Sequence, residues 1–232
     1  MPRMSRVVVP GMVHHIVQRA ARRQAAFRDD QDRAFYRKVF VESRRMYGLM
    51  LRAYSLMTNH VHYIAIPDQL ESICRTFHRA NTVYSNWFNE KYGFVGHLWQ
   101  ERPFSCVVSE DRVLYAIRYV ENNPVRAQMV ACATDYFWSS ARAHCSGEAD
   151  AFLDPDEAVA IPHWLDWLNR TDDLKIEDWI RMSTFTGRPC GDEGFLNEIE
   201  RLTGRQLRPK KRGRKRKVEN SQPLALNFSD PE

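Results

Sequence analysis

Tyr54-Ser-Leu-Met-Thr-Asn-His-Val-His-Tyr-Ile-Ala-Ile66 is the stretch whose reading decides the fold. The run from His60 to Ile66 has the length and apolar content of a buried strand, with Leu56, Val61, Ile64 and Ile66 around its polar centre. Side chains alternate across a strand, so His60 and His62 share one face while Val61 and Tyr63 share the other. Two imidazoles about 7 Å apart along the backbone are spaced to hold one divalent cation. Taken alone, so short a motif fits equally well two histidines that simply sit on a strand.

Working outward, Leu49 to Met57 reads as the preceding strand, joined through a tight Thr58-Asn59 connection. Before it, Asp29-Asp30 opens a helix with Phe35, Val39, Phe40 and Met46 at helical spacing, stopped by Tyr47-Gly48. Met12 to Arg19 reads as a first strand, with Val13, His15 and Val17 on one face and His14, Ile16 and Gln18 on the other. His14 and His15 are further possible ligands, though one packed and one exposed histidine is the simpler expectation. Arg19, Arg22 and Arg23 have no acid nearby and read as phosphate contacts. Downstream, Pro67-Asp68 opens a long helix over about 69–92, with Leu70, Ile73, Phe77, Val83 and Trp87 facing inward. Its other face carries Arg75, His78, Arg79, Asn81 and Asn86, a solvated face that would also suit a nucleic-acid groove. A fourth strand is expected over 97–108, then a helix capped by Ser109 and ended by Pro124. The order β-α-β-β-α-β predicts an α+β fold of the ferredoxin-like, split β-α-β kind, an antiparallel sheet with helices. In it the first strand lies beside the third.

The chain of 232 residues, 44% hydrophobic, is long enough for one core plus an appendage. It contains no apolar run of 18 residues, and its N-terminal three-valine run is too short for a signal peptide, so no membrane partner is expected. The five cysteines are odd in number and form no C-x-x-C, which suits a reducing cytoplasm. Charge is segmented. Residues 1–28 hold six arginines and no acid, residues 146–207 hold fourteen acids against six bases, and residues 208–217 hold eight bases in ten. Basic ends on an acidic middle imply polyanion contact at defined places. Residues 1–145 are expected to form the main domain, 146–207 an acidic helical segment rich in tryptophan, and 208–232 a disordered basic tail. The expected location is cytoplasmic and nucleoid-associated.

A second motif lies on the helix after Ser109. Tyr119 and Asn123 are four apart, hence one turn apart on one face. A tyrosine hydroxyl, with a reference pKa near 10, is a poor nucleophile unless a cation polarises its target. An Asn123 amide oxygen would suit a hard ion as third ligand; two imidazoles favour Mn²⁺, and Mg²⁺ would rely on abundance. Judged alone, Tyr119 reads sooner as a half-buried helix tyrosine and Asn123 as a helix end before proline.

Together these pieces resemble a known family. Met57-Thr-Asn-His-Val-His62, Tyr119-Val-Glu-Asn-Asn-Pro-Val-Arg-Ala127 and Trp138-Ser-Ser140 are similar to the HUH single-strand transposases of the IS200 type. The REP-associated tyrosine transposases are the nearest branch. Val9-Pro-Gly11, His15-Ile-Val-Gln-Arg19, Thr186-Gly-Arg-Pro189, Thr203-Gly-Arg205 and Lys211-Arg-Gly-Arg214 resemble the same branch. The resemblance implies one Mg²⁺ or Mn²⁺ ion on His60 and His62, with Asn123 as third ligand where insertion-sequence members have Gln, and Tyr119 as nucleophile. It implies cleavage and rejoining of single-stranded DNA at palindromic hairpins through a 5′-phosphotyrosine, without a nucleotide cofactor. Arg19, Arg22, Arg23 and the basic tail, Arg208, Lys210, Lys211, Arg212, Arg214, Lys215, Arg216 and Lys217, would contact that DNA. Insertion-sequence relatives are dimers that swap the tyrosine helix; the C-terminal segment here favours a monomer acting in cis over a homodimer. A catalytically idle nucleic-acid-binding regulator on the same fold fits the same residues.

Overall fold

In the computed structural model of the protein, the described residues are 4–154, 161–170 and 174–209. The first half runs β1 (His14–Arg19), α1 (Asp30–Met46), β2 (Leu49–Leu56), β3 (His60–Pro67), α2 (Ser72–Tyr92) and β4 (Phe104–Val107). The four strands form one antiparallel sheet in the order β2-β3-β1-β4, so the first strand does lie beside the third. After β4 come α3 (Val113–Glu121), α4 (Asn123–Arg126), α5 (Ala141–Ser146), α6 (Trp164–Leu168), α7 (Leu174–Thr186) and α8 (Glu193–Thr203). No helix among the described residues is long and apolar enough to cross a membrane.

The sheet is covered on both faces. On one, Ile16, Leu51, Tyr54, Leu56, Val61, Tyr63 and Ala65 meet α1 and α2 in a core dense in aromatic rings. Phe40 stacks on Tyr63 at 4.5 Å, and Phe27, Tyr36, Tyr84 and Trp99 pack edge to face or tilted beside them. On the other face, Ala53, Ile64 and Cys106 meet α3, and Trp164, Leu168 and Ile180 of α6 and α7 join the same cluster. The acidic segment therefore packs back on the sheet domain and completes its second layer.

Local chemistry sets the element ends. Asp29 caps α1 by accepting from the Asp32 N–H at 2.8 Å, and Asp32 returns the bond to the Asp29 N–H at 3.4 Å. Asp32 is fully buried because Lys91 Nζ (2.7 Å) and Tyr92 Oη (3.0 Å) donate to it from the last turn of α2. The two helices of the first layer are thus pinned at one end.

Several expectations need correction. The inward stripe of α2 slips after Phe77: Ala80, Tyr84 and Phe88 are buried, while Val83 and Leu70 are exposed. A 21-residue helix turns 3.6 residues at a time, and an assignment that steps from Phe77 to Val83 drifts off that phase. Met46, at the end of α1, is also exposed. β4 spans four residues rather than twelve. Upstream of it the chain meets β1 and the residue after it through an isolated Ala20–Trp99 bridge, the Gln100 N–H to Arg19 carbonyl bond, and Gln18 Nε2, which donates to the Gln100 and Glu101 carbonyls at 3.1 Å. Ser109 makes no side-chain cap; its hydroxyl donates to the Cys190 carbonyl instead. The β2–β3 connection holds three residues, Met57 to Asn59. The Thr58 and Asn59 carbonyls accept from Ala26 and Ala20, which ties the turn to the segment after β1.

Candidate active site

The register of β1 on β3 builds the site. Arg19 opposes His60, Val17 opposes His62 and His15 opposes Ile64. Residues directly opposite in an antiparallel pair point to the same side. His15, Val17, Arg19, His60 and His62 therefore emerge together on the face covered by α3 and α7. His14 and His15 are both buried, contrary to the expectation of one exposed, because β1 is a central strand covered on both faces.

The histidines form a chain of contacts. The His60 and His62 rings lie 5.0 Å apart, and His15 lies edge to edge with His62, centroids 5.2 Å apart and planes within 12° of each other. His60 Nδ1 lies 2.7 Å from Asn59 Oδ1, an acceptor, so His60 carries its proton on Nδ1 and leaves Nε2 bare. His62 Nδ1 lies 3.0 Å from His15 Nε2, and His15 Nδ1 lies 2.7 Å from Thr184 Oγ1 on α7. Two bare imidazole nitrogens, each ring held through its other nitrogen, are the donor set that a borderline divalent ion such as Mn²⁺ accepts. No group of three or more His, Cys, Asp or Glu side chains placed to hold a metal occurs among the described residues. Such an ion would draw its remaining ligands from water, phosphate or amide oxygens.

Burial keeps these rings neutral. It pushes His14 and His60 down to about 4 and His15 to about 3, and His62 well below its ordinary value; Arg19 adds to the effect on His60 and His62. In the unfolded chain the same groups take up protons near pH 6.5. The unfolded state therefore binds more protons between pH 6.5 and 4, and stability is lost as pH falls through that window, by about 1.4 kcal/mol per pH unit per histidine at most. Melting followed by circular dichroism should show Tm steady above pH 7 and falling below 6.5, with more than one proton taken up on unfolding. A flat Tm down to pH 4.5 would contradict it.

Tyr119 reaches this cluster from α3. Its ring lies 5.9 Å from His62 and 5.5 Å from His15, and the residue is 8% exposed. Burial raises the phenol above its ordinary pKa, while Arg126, Arg181 and Arg19 pull it back down. The Arg126 guanidinium sits 4.1 Å from the ring centroid, donates to the Tyr119 carbonyl at 2.8 Å and reaches Glu177 of α7 at 3.3 Å. His15, His62, Tyr119, Arg19 and Arg181 line one cavity of about 180 Å³, walled by Phe104 stacked on Phe185. It is smaller than the roughly 300 Å³ or more of a small-molecule pocket. A larger groove of about 460 Å³ runs between α2 and residues 96–103, past Asn81, Asn86, Asn89 and Arg102. It holds neither the tyrosine nor the histidines, whereas the smaller cavity is lined by Tyr119 and His62, with His60 beside His62 and outside the lining.

Asn123 is placed differently from a simple continuation of the tyrosine helix. α3 ends at Glu121, and Asn123 starts the short α4 with Pro124 behind it. Its Nδ2 donates to the carbonyls of Tyr119 at 3.0 Å and Val120 at 3.2 Å, so the side chain closes the helix end, and it does not line the cavity. Arg22 and Arg23 are exposed beside Arg19, both with left-handed backbone. Arg208 is paired with Glu193 and Glu200. Lys210, Lys211, Arg212, Arg214, Lys215, Arg216 and Lys217 lie outside the described residues. The site also gathers residues that pattern reading passed over: His15 as partner of His62, Arg126, Arg181 and Thr184. Arg126 stood in a quoted motif and His15 on the right strand face, whereas nothing marks Arg181 and Thr184 before the chain folds.

A family model described as Transposase IS200 like matches residues 8–123. Comparison with curated proteins gives no match. Among solved structures, one described as the REP associates tyrosine transposase bound to a REP hairpin superposes with a TM-score of 0.51 at 18% identity, covering 68% of this chain and 93% of that one. This likeness bears on the fold. A candidate transposase of Deinococcus radiodurans R1 is similar at TM-score 0.33 and 19% identity, over 52% of this chain and 97% of the other, and no argument rests on it.

Proposed function

The chain belongs to the IS200-like transposases, and from that premise we propose that it cleaves and rejoins single-stranded DNA at palindromic hairpins, with Tyr119 as nucleophile. The carrying observation is that Tyr119 and His62 of one chain meet at 5.9 Å in a cavity shared with Arg19 and Arg181. A poorly acidic phenol, a pair of imidazoles with free nitrogens and two guanidiniums together suit a phosphodiester and little else.

In this reading the Tyr119 oxygen attacks phosphorus in line with the 3′ oxygen. The O–P bond to tyrosine forms as the P–O3′ bond breaks. The phenol gives up its proton and the departing 3′ oxygen gains one. The product is a 5′-phosphotyrosine, which a 3′-hydroxyl reverses without ATP because the ester bond energy is retained. Arg126 and Arg181 hold the phenol oxygen in a field that favours its deprotonation, and Arg19 and Arg181 face the phosphate. His60 and His62 would hold Mg²⁺ or Mn²⁺, which when bound polarises the phosphate oxygens. Asn123 remains the proposed third ligand only if its amide turns from the helix carbonyls.

DNA carrying the hairpin would lie along the exposed Arg19, Arg22 and Arg23 and the basic tail. A solved structure described as bound to a REP hairpin, similar in fold, supports that substrate class. The cis meeting of tyrosine and histidines supports a monomer, and a DNA substrate supports a nucleoid location.

The test is cleavage of a hairpin oligonucleotide with single-stranded flanks. Wild type should form a covalent protein–DNA adduct with Mn²⁺ and none with EDTA. His62→Ala should lower the rate by on the order of 10³-fold or more while hairpin binding persists, as when a catalytic group is removed from a preorganised site. Binding with no adduct in any divalent ion would leave only the idle regulator.

A further inference from the structure

The His15–Thr184 contact joins β1 to α7 across 169 residues, and its Thr184 end lies outside the span that the family model covers. Thr184 Oγ1 donates its one proton to the Ile180 carbonyl at 2.8 Å, one turn back on α7. With that proton spent, the hydroxyl can only accept from His15 Nδ1 at 2.7 Å. The buried Cys106 thiol, 3.2 Å away, is then the donor in its own contact with the same oxygen. A neutral His15 protonated on Nδ1 has a bare Nε2, which accepts from His62 Nδ1 at 3.0 Å. His62 in turn is protonated on Nδ1, with its lone pair on Nε2. Every donor in the series has one acceptor, and all three residues are buried.

We propose that Thr184, acting through His15, is a positioning residue that sets the His62 tautomer and so presents Nε2 as the electron-pair donor to a divalent cation. The inference rests on the reading of His60 and His62 as metal ligands. Its physical basis is that the ring nitrogen a histidine offers is chosen by the hydrogen bond the other nitrogen makes. It also gives α7 a task at the site, since the hydroxyl that meets His15 comes from α7 and not from a residue of the four strands.

The experiment uses the full chain with ¹⁵N-labelled histidine. Long-range imidazole correlations report the tautomers without metal, and calorimetric titration with Mn²⁺ reports affinity. Wild type should show His15 and His62 both protonated on Nδ1. Thr184→Val should scramble the His62 tautomer and weaken Mn²⁺ binding about 10- to 100-fold, with circular dichroism unchanged. Thr184→Ser, which restores the hydroxyl, should recover both. If Thr184→Val keeps the wild-type tautomer and affinity, or Thr184→Ser loses as much as valine, the relay is overturned. A wild type that takes up no Mn²⁺ overturns the ligand reading itself, and with it the role given to Thr184.

Discussion

Tyr119→Phe should abolish the covalent protein–DNA adduct, with strand cleavage down by on the order of 10⁴-fold or more, while hairpin affinity stays within about twofold of wild type. The substitution removes one oxygen and leaves the ring, so the packing of Tyr119 against His15 and His62 survives, as does the Arg126 guanidinium over its face. Arg126 and Asn123 also hold the Tyr119 backbone carbonyl, which the substitution leaves in place when the Arg126 contact with the phenol oxygen is lost. Fold and DNA contacts should therefore be spared, and the loss should fall on chemistry alone. An adduct that persists in the phenylalanine variant would move the nucleophile elsewhere, and gel analysis under denaturing conditions decides it.

Glu121→Ala should cost about 3–5 kcal/mol of stability, enough to lower Tm by roughly 10 °C in a chain of this size. Glu121 follows Tyr119 by two residues and is fully buried. Its carboxyl group accepts from Ser140 Oγ at 2.5 Å, His144 Nδ1 at 2.6 Å and Trp164 Nε1 at 2.7 Å. Truncation takes from three buried donors the carboxyl group they share, which is the expensive way to lose a buried polar contact. Glu121→Gln keeps the volume but turns an amide hydrogen toward one of the donors, and should cost less, about 1–3 kcal/mol. Since the carboxyl fastens α3 to α5 and α6, the alanine variant should also loosen the tyrosine helix before the sheet melts. Hydrogen exchange should show α3 amides losing protection ahead of β1 and β3. Equal protection in the two regions would contradict this.

The strands around the histidines were legible because period-two alternation and the buried composition of β3 agree, and the β-α-β-β-α-β order leaves few topologies. The pairing of Arg19 with His60 follows from that order once the β2–β3 turn is located. The phase of α2 was not legible beyond Phe77, since Val83, Tyr84, Trp87 and Phe88 offer two overlapping apolar stripes and only packing against α1, Phe27 and Trp99 chooses Tyr84, with Phe88 one turn on. Tyr119 and the histidine pair could be named because their residue types carry chemistry. Thr184 and Arg181 could not: a threonine near the end of a helix has no local signature, and its meaning arises only when α7 docks on β1. Asn123 shows the converse, a residue that spacing sets beside the tyrosine but that the helix break at Asn122 turns toward backbone carbonyls.

The long separation between His15 and Thr184 bears on how the protein comes into being. A chain emerging from the ribosome has both imidazoles of β3 and the phenol of α3 in hand well before residue 184 is added. Domains tend to fold as they emerge, N-terminal parts first, and contacts far apart along the chain close late. Nascent polypeptide would thus hold a sheet and a tyrosine without the Thr184 hydroxyl, and a helix made 169 residues after His15 would complete the hydrogen bonds that the first strand begins.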